Sequence, residues 1–365
     1  MSKYRLLLGL IIFFIGFVTL WFWQRSGVAP QIAYLGWDEA GEIQVFVVDQ
    51  DGGSAPRQFT NHQAPTALFD FAVAPNGEQI AYSLLDGAGG SEIWLVRGNG
   101  RSAMQIHSCP TTLCTDLVWH PTQNRLLFEQ REDERALPFL WWLDVDSGQT
   151  VPLLTDNQQP GLAARFSPQG DWVSYVSPID DGVVLYNFSS GADGFAASVV
   201  GVPATWQPQG TAVVVSDLDI SFLHGNQGEG HDEHSHDTSE AIHLFKVDIA
   251  SGEQTALTEA LNVDDGVAAW SPDGAWVAFG RKVLKTAVGR QLWLVSAAGG
   301  EARPLTDEPL LHHGPPRWSP DGRLLLFQRF DPQNGGGKAA VFTLEWEMGE
   351  LKEIVGEGMQ PVWLP

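Results

Sequence analysis

Basic residues are scarce in this sequence. Lysine and arginine total 21 against 44 aspartates and glutamates, a formal net charge of −23. A surface of that sign repels nucleic-acid phosphates and anionic headgroups, so no nucleic-acid partner is expected. Cysteine is nearly absent too, with only Cys109 and Cys114 in the stretch CPTTLC. Two cysteines exclude a disulfide-framework fold, and without a second pair a cysteine-based zinc module is disfavoured. A short local disulfide is the expected use of the pair. The nucleophile motif G-x-S-x-G occurs nowhere, which excludes the usual serine elbow of an α/β-hydrolase. With no recognisable acid/base pair or nucleophile set either, the chain is expected not to be an enzyme.

Other residue types are plentiful. The 365 residues include 15 Trp and 19 Phe, together with 39 Gly and 22 Pro spread along the whole length. That spread predicts many short elements joined by turns. The aromatic residues need regular places in whatever fold results.

One long apolar run is present. Lys3 and Arg5 precede an uncharged stretch from Leu6 to Trp23, followed by Gln24 and Arg25. As a helix its eighteen residues reach about 27 Å, close to the ~30 Å of a bilayer core. Positive charge ahead of the run and aromatic residues at its end predict a signal anchor over residues 1–25. Residues 26–30 then form a linker, and 31–365 are exported. The expected location is the cell membrane, single-pass, with the C-terminal domain in the periplasm or at the cell surface.

The remainder is repetitive. A small or aromatic residue, then x-Pro-x-Gly, then an apolar run recurs at Pro75, Pro121, Pro168, Pro208, Pro272 and Pro320, with spacings of 46, 47, 40, 64 and 48 residues. The clearest copies read AWSPDGAWVAFG from Ala269 and RWSPDGRLLLFQ from Arg317. Each is followed by a second strand signal, such as RQLWLVSAAGG, and often by a third segment ending in Leu-Thr at Thr155, Thr258 or Thr306. Asp-Gly, Gln-Gly and Asn-Gly pairs suggest two-residue hairpin turns at positive φ. Four strands in 40–50 residues is the size of a propeller blade.

The two ends hold complementary half-repeats. PVWLP at Pro361–Pro365 is the opening of a unit, whereas QIAYLGW from Gln31, IQVFVVDQDGG and RQFT are the rest of one. The expected fold is therefore all-β, a seven-bladed β-propeller closed by its N- and C-terminal strands and preceded by one transmembrane helix. A β-sandwich is the alternative that this complementarity disfavours.

Trp119, Trp206, Trp270, Trp318, Trp363 and Phe166 stand two residues before the marker proline. One such residue per unit, at constant phase, predicts packing between blades. Trp94, Trp142, Phe245 and Trp293 predict a second, outer row. The acidic turns at Asp49 and Asp144 resemble calcium-loop fragments but lack the remaining ligands, and are read as hairpin turns.

The W-S-P-D-G pattern with its V-A-F and L-W-L-V strands and terminal Leu-Thr resembles the propeller repeats of TolB and related periplasmic proteins. The likeness spans about residues 31–365. It implies an envelope protein-interaction scaffold or accessory subunit with an envelope or membrane protein as partner. TolB has six blades and a separate N-terminal domain, neither of which is read here. The same repeat also forms the non-catalytic propeller of prolyl-oligopeptidase-like peptidases.

The long interval contains an insertion, residues 224–240, with five of the ten histidines in or beside it. His224, His231, Asp232, His234, His236 and His243 form a candidate set for Zn2+, Cu2+ or Ni2+, because imidazole and carboxylate suit these ions. Divalent-metal binding or delivery is thus an alternative function, and a solvated polar loop the bland one. His120, His312 and His313 are the candidates for a third possibility, an enzyme site at one mouth of the channel.

Overall fold

A computed structural model describes residues 30–364, apart from 99, 101, 155–157, 219–240 and 334–336. The described residues are all-β, without a helix. Strands follow the repeat. In the unit after Thr66, Ala67–Val73, Gln79–Leu85, Ser91–Arg97 and Ala103–Cys109 form an antiparallel meander.

The marker turn is built differently from the two-residue hairpin expected. Gly274 N–H donates to Ser271 O at 2.8 Å, and Ser271 N–H donates to Trp276 O at 2.8 Å across a four-residue loop, Pro272–Ala275. Proline locks φ near −65°, which suits the second position of a type I turn and forbids the positive φ of a type I′ turn. Only Gly274 takes positive φ, +74°. Ser319–Gly322, Ser167–Gly170 and Gln207–Gly210 repeat the arrangement.

The terminal Leu-Thr has a structural task. Thr306 Oγ1 accepts from Leu292 N at 2.9 Å and meets Gln291 Oε1 at 3.1 Å. Thr258 accepts from Leu244 N and donates to Asp265, and Thr60 accepts from Val45 N and donates to Gln44. Each threonine satisfies a backbone donor of the third strand and ties it to a buried polar side chain.

Among the described residues the strands hydrogen-bond into six sheets. Five are self-contained blades of four or five strands. The sixth is a continuous eight-stranded sheet running from Thr205 to Pro304. The expectation of a seven-bladed propeller is corrected accordingly: the described residues form five blades, not seven, and the stretch from Thr205 to Pro304 read as two more is one continuous sheet. The join is a parallel bridge between Ile242 and Asp264. Its cause lies in unequal strand lengths. The outer strand Gln254–Ala256 is three residues long and covers only Phe245–Val247 of the third strand, Ile242–Asp248. The edge at Ile242 is left for Val263–Trp270, which is eight residues long and reaches it.

The C-terminal strand Met359–Leu364 pairs antiparallel with Gln31–Trp37, joining Gln31 to Leu364 and Ile32 to Trp363. The blade made this way contains both ends of the described chain and covers an edge otherwise open for pairing.

The tryptophan row locks neighbours together. Trp206 Nε1 donates to Arg165 O at 3.2 Å, Trp270 Nε1 to Thr205 O at 3.2 Å, Trp318 Nε1 to Ala269 O at 2.9 Å and Trp363 Nε1 to Arg317 O at 3.1 Å. Each indole is buried between units and reaches the inner strand of the one before it. Cys109 and Cys114 form a disulfide joining the outer strand of one blade to the inner strand of the next.

The transmembrane helix falls on residues 1–25, outside the described residues. None of the described residues forms a helix long and apolar enough to cross a membrane. The single-pass membrane localisation is corrected on that ground: nothing in the folded ring supports it, and no location is assigned to the chain.

Candidate functional site

The inner strands surround a central cavity of about 860 Å³. Alternation along each strand explains its lining. The residue two before the marker proline turns between blades, so those three and five before it face the cavity. The tier five before includes Asp70, Asp116 and Gln360, and the tier three before includes Arg165, Thr205 and Arg317.

The acidic tier sits on distorted backbone. Register breaks occur between Leu68 and Asp70, between Thr115 and Val118, and between Leu162 and Arg165. Asp116, Ala163 and Gln360 have φ of 52°, 54° and 51°. Side chains at such bulges are re-aimed, and strained backbone of this kind collects at binding sites.

Asp70 accepts from the Ser83 hydroxyl and from Leu117 N–H, the latter at 3.1 Å. Burial pushes its carboxyl up to about 6, with the Asp116 charge acting the same way and both hydrogen bonds opposing. Behind Asp116 lies Glu129, 2% exposed. Burial pushes Glu129 up to about 8, and a hydrogen bond to the Asp116 carboxyl adds to the rise. The Ala163 N–H, 2.7 Å from Oε1, and the Arg131 ion pair oppose it. Near neutral pH Glu129 therefore keeps its proton and donates it toward Asp116.

A pH dependence follows. Between its ordinary value of 4.5 and about 8, Glu129 is ionised in the unfolded chain and protonated in the folded one. The folded state then holds the extra proton, so stability falls as pH rises through that window and levels above it. Asp70 acts with the same sign only up to about 6, and His313, which burial pushes down to about 4, acts oppositely below its ordinary 6.5. His62, His107, His120 and His312 are also held low by burial and share the sign of His313, so urea midpoints at pH 7.5 and 8.5, above their range, isolate Glu129. The wild type is expected to lose stability between them, and Glu129→Gln to lose distinctly less. Equal losses in the two proteins would assign the slope to another group.

The sequence-derived candidates lie elsewhere. His224, His231, Asp232, His234 and His236 fall outside the described residues. His243 is buried in Ile242–Asp248, with Nε2 2.8 Å from Ala260 O, so the fold engages its ring. His120 is also structural: Nε2 lies 3.0 Å from Gly170 O, and Nδ1 accepts from Gln123 N at 3.1 Å. His313 stands between Thr306 Oγ1, at 2.9 Å, and Glu308, at 3.3 Å, in an order that suggests a catalytic triad, yet it is 0% exposed and no substrate reaches it. His312 packs on Phe330. His107 lies beside Cys109 and Cys114, whose sulfurs are bonded to each other and cannot ligate a metal as thiolates. None of the cavity-facing tier was singled out from sequence. Its signal was present as the phase five before each marker proline, where Asp70 and Asp116 stand.

No family model matches the chain. Over 156 residues it is 27% identical to the uncharacterized protein YidR of Escherichia coli, covering 39% of this chain and 36% of that one. Over 202 residues it is 23% identical to the uncharacterized peptidase YuxL of Bacillus subtilis, covering 47% and 30%. The matched part thus spans about a third of these curated relatives. Among solved structures, the propeller domain of the Trilobed protease from Pyrococcus furiosus has a TM-score of 0.58 at 15% identity, covering 89% of this chain and 91% of that one. TolB from Acinetobacter baumannii has 0.53 at 15%, covering 93% and 68%. The likeness is one of fold. This chain is a β-propeller with TolB and peptidase propellers among its structural neighbours. The expectation that it is not an enzyme is corrected by these matches, which include an uncharacterized peptidase and the propeller domain of a protease.

Proposed function

We propose that the ring is a polypeptide-binding propeller that serves peptide hydrolysis, receiving an extended, basic segment at the acidic tier of its central cavity. The observation that carries this reading is the placement of Asp70 and Asp116 together on the cavity wall, on inner strands whose register is broken. The broken ladders there re-aim the acidic side chains toward the cavity. The net charge of −23 favours the approach of a basic partner. The peptidase and TolB likenesses support a ring that handles polypeptide, either as substrate or as a docked protein.

Fluorescence anisotropy with a lysine-rich nonapeptide and its glutamate-rich counterpart tests the reading. The basic peptide is expected to bind at least about tenfold more tightly, with the preference weakening as salt rises. Asp70→Asn with Asp116→Asn should abolish the preference. Equal binding of the two peptides, or an unchanged preference in the double variant, defeats the proposal.

A further inference from the structure

The arginine tier is a second feature of the cavity and has a different chemistry. Arg165 and Arg317 both stand three residues before a marker proline, and both line the cavity. Their backbones are held in place, because the Arg165 and Arg317 carbonyls accept the indole N–H groups of Trp206 and Trp363. Neither guanidinium takes part in an ion pair among the described residues. Arg165 donates to Ala164 O at 2.6 Å. The Arg317 guanidinium has no hydrogen-bond partner among the described residues.

In a chain with more than twice as many acids as bases, two unpaired arginines on one tier are unexpected. Arg317 is exposed to the water of the cavity and Arg165 is half-buried. The surrounding protein pushes Arg317 down to about 10, and the Arg165 charge adds to the fall. The two cations therefore repel each other across the cavity. An oxyanion between them would remove the repulsion and accept the forked donors of both.

We propose that Arg165 and Arg317 form an oxyanion site inside the channel that takes a carboxylate, the C-terminal end of a bound peptide. This rests on the reading that the cavity receives polypeptide. The two tiers are separated by two residues of strand, roughly 7 Å. A short peptide spans that distance, with its basic group at Asp70 and Asp116 and its carboxylate at the arginines. The same donors suit a free oxyanion, so the experiment includes one.

Calorimetric titration of the full chain uses three probes: the tripeptide Lys-Ala-Ala with a free C-terminus, its C-terminal amide, and inorganic phosphate. The free acid is expected to bind at least about tenfold tighter than the amide, and Arg317→Gln and Arg165→Gln are each expected to erase that difference. Without ligand, Arg317→Gln should raise the melting temperature, since it relieves the repulsion; an arginine that merely packs would do the reverse. Equal binding of acid and amide by the wild type overturns the proposal, as does an acid preference that survives both substitutions. Phosphate binding that Arg317→Gln abolishes, with no peptide bound, keeps the oxyanion site and removes only the peptide reading. Failure of phosphate and of acid preference, with the basic nonapeptide still bound at Asp70 and Asp116, removes only the oxyanion site.

Discussion

Replacing Asp265 by alanine is expected to cost about 3–5 kcal/mol of folding stability. Asp265 is 0% exposed and Arg281 4% exposed. Their contact is bidentate, Arg281 Nε to Oδ1 at 2.6 Å and Nη2 to Oδ2 at 2.7 Å. Thr258 Oγ1 donates to the same carboxylate at 2.7 Å. Arg281 also lies over the Trp293 ring, 4.7 Å from its centroid. Removing the carboxylate leaves a guanidinium in the core with no counter-charge and strands the Thr258 hydroxyl. That penalty is far larger than the net worth of the pair, because bringing both charges out of water already offsets most of their attraction. The double variant Asp265→Leu, Arg281→Met should therefore recover most of the loss. Urea unfolding of both single variants and the double checks this. A single-variant cost under about 1 kcal/mol, or a double variant no better than the singles, would show that the pair does not organise this sheet.

Deleting residues 358–365 is expected to be similarly severe, at roughly 5 kcal/mol or outright loss of a cooperative transition. The strand Met359–Leu364 seats Trp363 against Ile32, Tyr34, Leu326 and Val341, and Leu364 in the neighbouring cluster around Ala33 and Leu35. Without it, Gln31–Trp37 presents an unpaired edge to solvent and to other copies. Association visible by size-exclusion chromatography should accompany the lost stability. The milder change Trp363→Phe keeps the ring and loses the indole bond to Arg317 O, at a cost of about 0.5–1.5 kcal/mol. A truncated chain that unfolds at the wild-type midpoint and stays monomeric would show that closure contributes little.

The architecture was legible wherever a position repeated. The Trp-x-Pro phase, the Leu-Thr endings and the half-units at the two ends each recur because one physical requirement recurs in each unit. That requirement is an indole wedge with a carbonyl to reach, a hydroxyl to satisfy the third strand, or an edge to cover. Turn type was misread because Asp-Gly alone suggests type I′; the preceding proline, Pro272 or Pro320, decides otherwise through its fixed φ. The fused sheet was illegible, because a single bridge from Ile242 to Asp264 depends on how far two strands extend past one another in space.

The candidate site shows the same division. Histidines drew attention as a composition, yet His120, His243 and His313 are held by backbone or buried side chains. Asp70, Asp116, Arg165 and Arg317 passed unnoticed, because an isolated acid or base every 40 to 50 residues carries no local signal.

What the sequence determined by itself is the unit: its strands, its turn positions, its indole row and the pairing of its ends. These follow from local alternation and from residue types whose requirements are met within one unit or by the next. Only the tertiary structure decided which side chains share the cavity, and therefore which charges lack partners. Closing the ring brings inner strands distant in sequence to face one enclosed space. The fate of a charge there depends on the company it meets across that space and on how much water remains to solvate it.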